Sequence, residues 1–241
     1  MRLEVYLNAR GERRFVGLLD ERGGDILFEY DKRFLDSGIE LSPFLLPLRP
    51  GVASDPKRTF DGLFGVFNDS LPDGWGLLLL DRLLRRSGLP LERITPLSRL
   101  SLVGSGGMGA LEYEPVTPDP DPLPERIDLD GVAEEAWRTL NEDPLPVETL
   151  RTLMALNGSS CGARPKIMVR VSGDRRLIVP DAVAEPGCDP WLIKFPARHD
   201  DPAIGRMESA CSLAAKRAGI EMPETALFPG RDGAAYFGVR R

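Results

Sequence analysis

The chain has 241 residues, 42% of them hydrophobic, and a formal net charge of -6. That length suits one large domain or two smaller ones, and the hydrophobic fraction is ordinary for a globular protein. The acidic balance argues against nonspecific nucleic-acid binding through a basic surface, and the single histidine, His199, argues against a Ser-His-Asp triad or a His-rich metal site.

The three cysteines, Cys161, Cys188 and Cys211, are odd in number and widely spaced, with no CxxC and no metal-ligand pattern. A reducing compartment suits them. No apolar run approaches the length of a membrane span, and Met1-Arg2-Leu3-Glu4 lacks the apolar core of a signal peptide. A cytoplasmic location is expected. Lysine supplies only five of the 31 basic residues, which fits an arginine-favouring codon bias.

The first segment reads as a compact β-rich unit followed by helices. Leu3–Leu7 and Ile26–Tyr30 alternate, and Phe15–Leu19 is an apolar run, with Gly11, Gly23 and Gly24 as turns. Thr59 is placed to cap a helix through Phe60, Leu63, Phe64 and Phe67, broken by Pro72. A second helix is predicted from about Asp73 through Leu77, Leu80, Leu83 and Leu84 to Gly88. Leu100–Val103 and Ala110–Tyr113 read as short strands around a glycine-rich turn. Gly104-Ser105-Gly106-Gly107-Met108-Gly109 fits GxGxxG, but Ala110–Glu114 reads as a strand ended by Pro115, not a helix. A dinucleotide site fails on that context, and a tight turn is the better reading.

Pro115, Pro118, Pro120, Pro122 and Pro124 mark a linker. The expected division is 1–114, a linker at 115–128, and 129–241. Helices are predicted over Leu129–Leu140 and Val147–Leu156, then a hairpin of Lys166–Val171 with Leu177–Val179, and a strand at Leu192–Phe195. A helix opens at Asp201-Pro202 and carries Ile204, Met207, Cys211, Ala214 and Ala218 on one face up to Gly219. Ala226–Phe228 and Ala235–Val239 form a last hairpin. The fold class is α+β, and the β-β-β-α-β-β order of the second part matches the small lobe of a protein kinase.

Two segments carry chemistry. Gly158–Lys166 reads Gly-Ser-Ser-Cys-Gly-Ala-Arg-Pro-Lys, a small glycine-containing loop before the hairpin. Trp191–Pro196 reads Trp-Leu-Ile-Lys-Phe-Pro, with Lys194 inside an apolar strand. Strands seldom bury an unpaired ammonium. A loop offering backbone N–H groups and then an inward lysine suits a nucleotide triphosphate. The order of Lys194 and Glu208 also suits a strand-lysine to helix-glutamate ion pair. The alternative is that Lys194 snorkels from a strand edge and Glu208 is simply solvated. Both stay open at this level.

The loop, the Trp-Leu-Ile-Lys-Phe-Pro strand and the terminal Tyr-Phe-Gly-Val-Arg-Arg resemble HipA-type serine/threonine kinases, toxins of bacterial toxin–antitoxin pairs. Phe67-Asn68-Asp69-Ser70-Leu71-Pro72-Asp73, Val103-Gly104 and Gly109-Ala110-Leu111 fall where that family has its N-terminal motifs. The turn Ser105-Gly106-Gly107 departs from the aspartate often found there. The resemblance implies an N-terminal subdomain followed by a kinase-like small lobe that transfers the ATP γ-phosphate to a protein hydroxyl with Mg2+. It implies that Cys161, Gly162, Ala163, Arg164, Pro165 and Lys166 wrap the phosphates. Lys194 would contact them and pair with Glu208, and Arg240 and Arg241 would begin the adenine hinge. Ser159, or its neighbour Ser160, would be the autophosphorylated serine.

The same resemblance implies a HipB-like DNA-binding antitoxin and a protein substrate as partners, with DNA met only through the antitoxin. The family's catalytic and metal-binding residues lie in a lobe after the hinge, and nothing in 1–241 corresponds to them. The chain is therefore expected to be the ATP-binding part of a longer kinase, inactive alone and without its C-terminal catalytic lobe. The competing class is a noncatalytic module that holds an antitoxin or regulator.

Overall fold

The computed structural model describes residues 1–9, 11–86, 94–115, 123–158, 160 and 162–241. In chain order its elements begin with strands β1 (Arg2–Ala9), β2 (Glu12–Arg22) and β3 (Asp25–Tyr30), helix α1 (Lys32–Leu35), strand β4 (Val52–Ser54) and helix α2 (Gly65–Asn68). Helices α3 (Gly74–Arg86) and α4 (Pro96–Val103), strand β5 (Leu111–Glu114), and helices α5 (Leu129–Leu140) and α6 (Val147–Asn157) follow. The last part comprises β6 (Lys166–Ser172), β7 (Ile178–Pro180), β8 (Cys188–Lys194), α7 (Ile204–Arg217), β9 (Thr225–Pro229) and β10 (Ala235–Arg240). The protein is α+β, and its described residues form two antiparallel five-stranded sheets.

The elements sort into two compact units. One comprises Met1–Pro72 with Gly88–Pro120, the other Asp73–Ser87 with Asp121–Arg241. Helix α3 thus belongs with the later residues, although it lies early in the chain.

In the first unit the sheet order is β4-β3-β2-β1-β5. Its alternating apolar residues, Leu3, Val5, Leu19, Ile26 and Phe28, are buried on one face. Phe67 packs against Phe28 with ring centroids 4.8 Å apart, and the Ser70 and Tyr113 hydroxyls bond each other at 2.7 Å within the core. Two predicted elements are corrected here. Residues 59–67 do not form one helix: Phe60 is exposed and bridges Leu63, and only Gly65–Asn68 is helical. The aromatic spacing reflects contacts made from a loop. Leu100–Val103 is the end of helix α4, not a strand. Thr95 caps that helix in a reciprocal capping box with Ser98, Pro96 occupies its first turn, and Leu97, Leu100 and Ser101 are buried at helical spacing. A four-residue apolar run is ambiguous by period, and the cap decides it.

In the second unit the sheet order is β7-β6-β8-β10-β9, and α7 connects β8 to β9. Ile167, Val169, Val171, Trp191, Ile193 and Phe228 meet side chains of α3, α5 and α6 in one core, among them Trp75, Leu79, Val132, Leu150 and Leu153. The strand period turns the next residues the other way. Ile193 and Tyr236 enter this core, while Lys194 and Phe237, paired across β8 and β10, line the depression beside α7. The predicted buried face of α7 is also corrected. Met207 and Cys211 are exposed, and the helix buries Gly205 and Ser212 instead. A backbone contact rather than an apolar stripe seats it: a Cβ on Gly205 would lie 2.1 Å from the Ala235 carbonyl oxygen.

Candidate functional site

Close packing at Gly205 presses α7 onto β10, and one turn further on Glu208 reaches Lys194 on β8. Lys194 Nζ lies 3.3 Å from Glu208 Oε2 and 5.6 Å from the centre of the Phe237 ring. Glu208 Oε2 is buried and meets this ammonium without hydrogen-bond geometry. The other carboxylate oxygen, Oε1, accepts from Lys194 at 3.5 Å and from Arg164 at 2.8 Å. Arg164 also donates to Asp200 Oδ1 at 3.0 Å. Two cations and two carboxylates therefore form one linked cluster.

The loop that carries Arg164 is held at several points. Gly162, at φ +107°, donates its N–H to Asp73 Oδ1 at 2.6 Å. Its carbonyl accepts from the Trp75 N–H at 3.1 Å and from Lys166 Nζ at 2.9 Å. The start of α3 thus clamps the loop, and the approach is so close that a Cβ on Gly74 would lie 2.6 Å from the Gly162 oxygen. Phe195 N–H donates to the Pro165 carbonyl at 2.9 Å. Lys166, cross-strand partner of Lys194, is buried. The N–H groups of Ala163 and Arg164 donate to no group among the described residues. Consecutive backbone donors beside cationic side chains form an anion-binding arrangement.

Arg164, Lys194, Phe195, Pro196, Gly205, Glu208 and Phe237 are among the residues around this depression. Among the described residues no group of three or more His, Cys, Asp or Glu could hold a metal ion. Asp200 and Glu208 are already engaged by Arg164 and Lys194.

Of the residues singled out in the sequence, Arg164, Lys194 and Glu208 meet directly. Gly162, Ala163, Pro165 and Lys166 form the adjoining loop. Ser159 and Cys161 lie outside the described residues. Ser160 is buried, with its hydroxyl donating to Asn157 Oδ1 at 2.8 Å. Arg240 and Arg241 do not line the depression. Arg240 pairs with Glu224 and Asp189 at 3.0 and 2.9 Å, and Arg241 with Asp181 at 2.9 Å. Sequence reasoning missed Asp200 and Asp73, which act on the loop from distant positions. The acidic pair Asp200-Asp201 directly after an Arg-His was the one local signal for the first of them.

The second unit is thus a β-β-β-α-β-β lobe with a strand lysine, a helix glutamate and an amide-presenting loop. Two family models match the chain. The HipA N-terminal domain matches residues 3–114, and the HipA-like C-terminal domain matches residues 158–241. The chain belongs to the HipA family. The second match corrects the expectation that the C-terminal part is absent, because residues 158–241 themselves represent that domain. No curated protein matches the chain. Among the described residues no helix is long and apolar enough to cross a membrane.

Proposed function

We propose that this chain carries the ATP-binding part of a HipA-like serine/threonine protein kinase, the toxin of a toxin–antitoxin pair. The observation that carries the reading is the Lys194–Glu208 contact beside a loop whose consecutive Ala163 and Arg164 amides have no acceptor among the described residues. In phosphoryl transfer, positioning and charge stabilisation provide most of the rate. Lys194 supplies a point charge held in place by Glu208, Ala163 and Arg164 supply N–H donors, and Phe237 walls the depression. ATP fits these donors through its phosphates, with Mg2+ carried by the nucleotide. The partners in this reading are a HipB-like antitoxin, which brings DNA into the complex, and a protein hydroxyl substrate. The free Cys188 and Cys211 suit a reducing cytoplasm. Ser159 is the proposed regulatory serine. A phosphate there adds about two negative charges beside the loop.

Titration of the chain with MgATP, followed by amide NMR at Ala163 and Arg164, tests the reading. Saturable shifts at both amides support it. Shifts absent at millimolar MgATP, with an antitoxin still bound, would leave a noncatalytic binding module.

A further inference from the structure

We propose that Asp200 is a positioning residue for the anion site and acts through Arg164. The proposal rests on the reading of residues 162–166 as a phosphate cradle. Asp200 follows β8 in the turn that leads to α7. Its Oδ2 accepts from the Ala197 N–H at 2.8 Å, and its own N–H donates to the Ala197 carbonyl at 3.1 Å. The turn therefore fixes this carboxylate before any partner arrives. Oδ1 then receives Arg164.

The guanidinium spends different nitrogens on different carboxylates, one on Glu208 and the other on Asp200. Arginine's planar fork can bridge two acids in this way, and a lysine ammonium cannot hold the same geometry. The Asp200 and Glu208 side chains are only 16% and 21% exposed, so neither contact is a loose surface pair. Together they tie the loop to the turn before α7 and to the second turn of that helix. Asp200 has a second effect. Glu208 must serve both Arg164 and Lys194. Lys194 and Arg164 already share Oε1 of Glu208, and Oε2 faces Lys194. By taking one nitrogen of Arg164, Asp200 limits that competition; without it, Glu208 is the carboxylate left to Arg164 among the described residues.

The proposal makes a prediction opposite to that of simple charge. Removing a carboxylate near an anion site should strengthen anion binding by Coulomb's law. If Asp200 positions the loop, its removal weakens binding instead. Asp200→Asn retains an acceptor for the Ala197 N–H and removes the charge that holds Arg164. Arg164→Ala removes the other partner, and Arg164→Lys tests the fork.

The experiment is hydrogen exchange on the unliganded chain, read at the Gly162 and Phe195 amides, which are bonded to Asp73 and to the Pro165 carbonyl. MgATP affinity is measured alongside. Asp200→Asn and Arg164→Ala should each speed exchange at both amides about tenfold, the scale of one charge-assisted hydrogen bond. The double variant should go no further than the faster single, and Arg164→Lys should not restore protection. MgATP affinity should fall by a similar factor in Asp200→Asn. Unchanged exchange, additive singles, or tighter MgATP binding in Asp200→Asn overturns the proposal. A wild-type chain that binds no MgATP overturns the nucleotide reading and the ligand role of Asp200 with it, while the exchange data separately decide whether Asp200 holds the loop.

Discussion

Lys194 and Glu208 meet at 3.3 Å because a glycine lies one turn before the glutamate. Any side chain at Gly205 would collide with the backbone of β10, and α7 would have to lift. Gly205→Ala places its methyl 2.1 Å from the Ala235 carbonyl, a clash with backbone that no rotamer relieves. The expected cost is about 1–3 kcal/mol, the usual range for overpacking. Thermal unfolding of the second unit should show it, and the Lys194–Glu208 contact should loosen. A wild-type melting curve would mean that α7 is not seated as described.

The clamp on Gly162 gives a ranking. Asp73→Ala removes one hydrogen-bond acceptor for the Gly162 N–H and should cost about 0.5–1.5 kcal/mol. Gly74→Ala should cost more. It strains a residue at φ +44° and sets a methyl against the Gly162 carbonyl. Chemical denaturation of both variants checks the order, and the reverse ranking would contradict the packing between α3 and the loop.

Loop phosphorylation is expected at Ser159 and not at Ser160. Ser160 is 1% exposed and its hydroxyl is bonded to Asn157, so a kinase cannot reach it without opening the loop. Peptide mapping of phosphorylated protein by mass spectrometry distinguishes the two serines. Phosphate found on Ser160 would overturn the assignment.

Alkaline pH should unfold the protein through its buried tyrosines. Burial pushes the Tyr30 hydroxyl up to about 12, helped by the Glu40 charge. Burial likewise raises Tyr113, with the Ser70 hydrogen bond partly opposing it, and raises Tyr236, aided by its hydrogen bond to Asp130. In each case the folded state keeps a proton that the unfolded chain releases near pH 10. Stability from these groups is therefore complete below about pH 10 and falls as pH rises toward 12. Tyrosinate absorbance should appear together with loss of tertiary structure, and Tyr30→Phe should shallow the decline. Ordinary tyrosine titration in the intact fold would contradict their burial.

The strands of the second unit and its helices α5 and α6 were legible in the sequence because they follow clean periods. Lys194 in an apolar strand and Glu208 on the next helix pointed to a contact that the structure contains. Asp73 and Asp200 were not legible. Their partners, Gly162 and Arg164, lie 89 and 36 residues away, and no local pattern encodes that proximity. Helix α3 read as a companion of the early strands, yet Trp75, Leu79 and Leu83 enter the core of the later sheet. The seat of α7 was missed for a related reason. A glycine packed on a carbonyl leaves no apolar stripe, so the exposed Met207 and Cys211 looked like the buried face.

In the proposed function Lys194 holds the phosphates of a nucleotide. Calorimetric titration of MgATP into the wild-type chain and into Lys194→Ala tests it most directly. Losing one charged contact to phosphate should weaken binding by about 1.5–3 kcal/mol, more than tenfold. The melting temperature should change little, because Lys194 is partly exposed and Glu208 keeps Arg164. Equal MgATP affinity in the two proteins, both folded, would contradict the account.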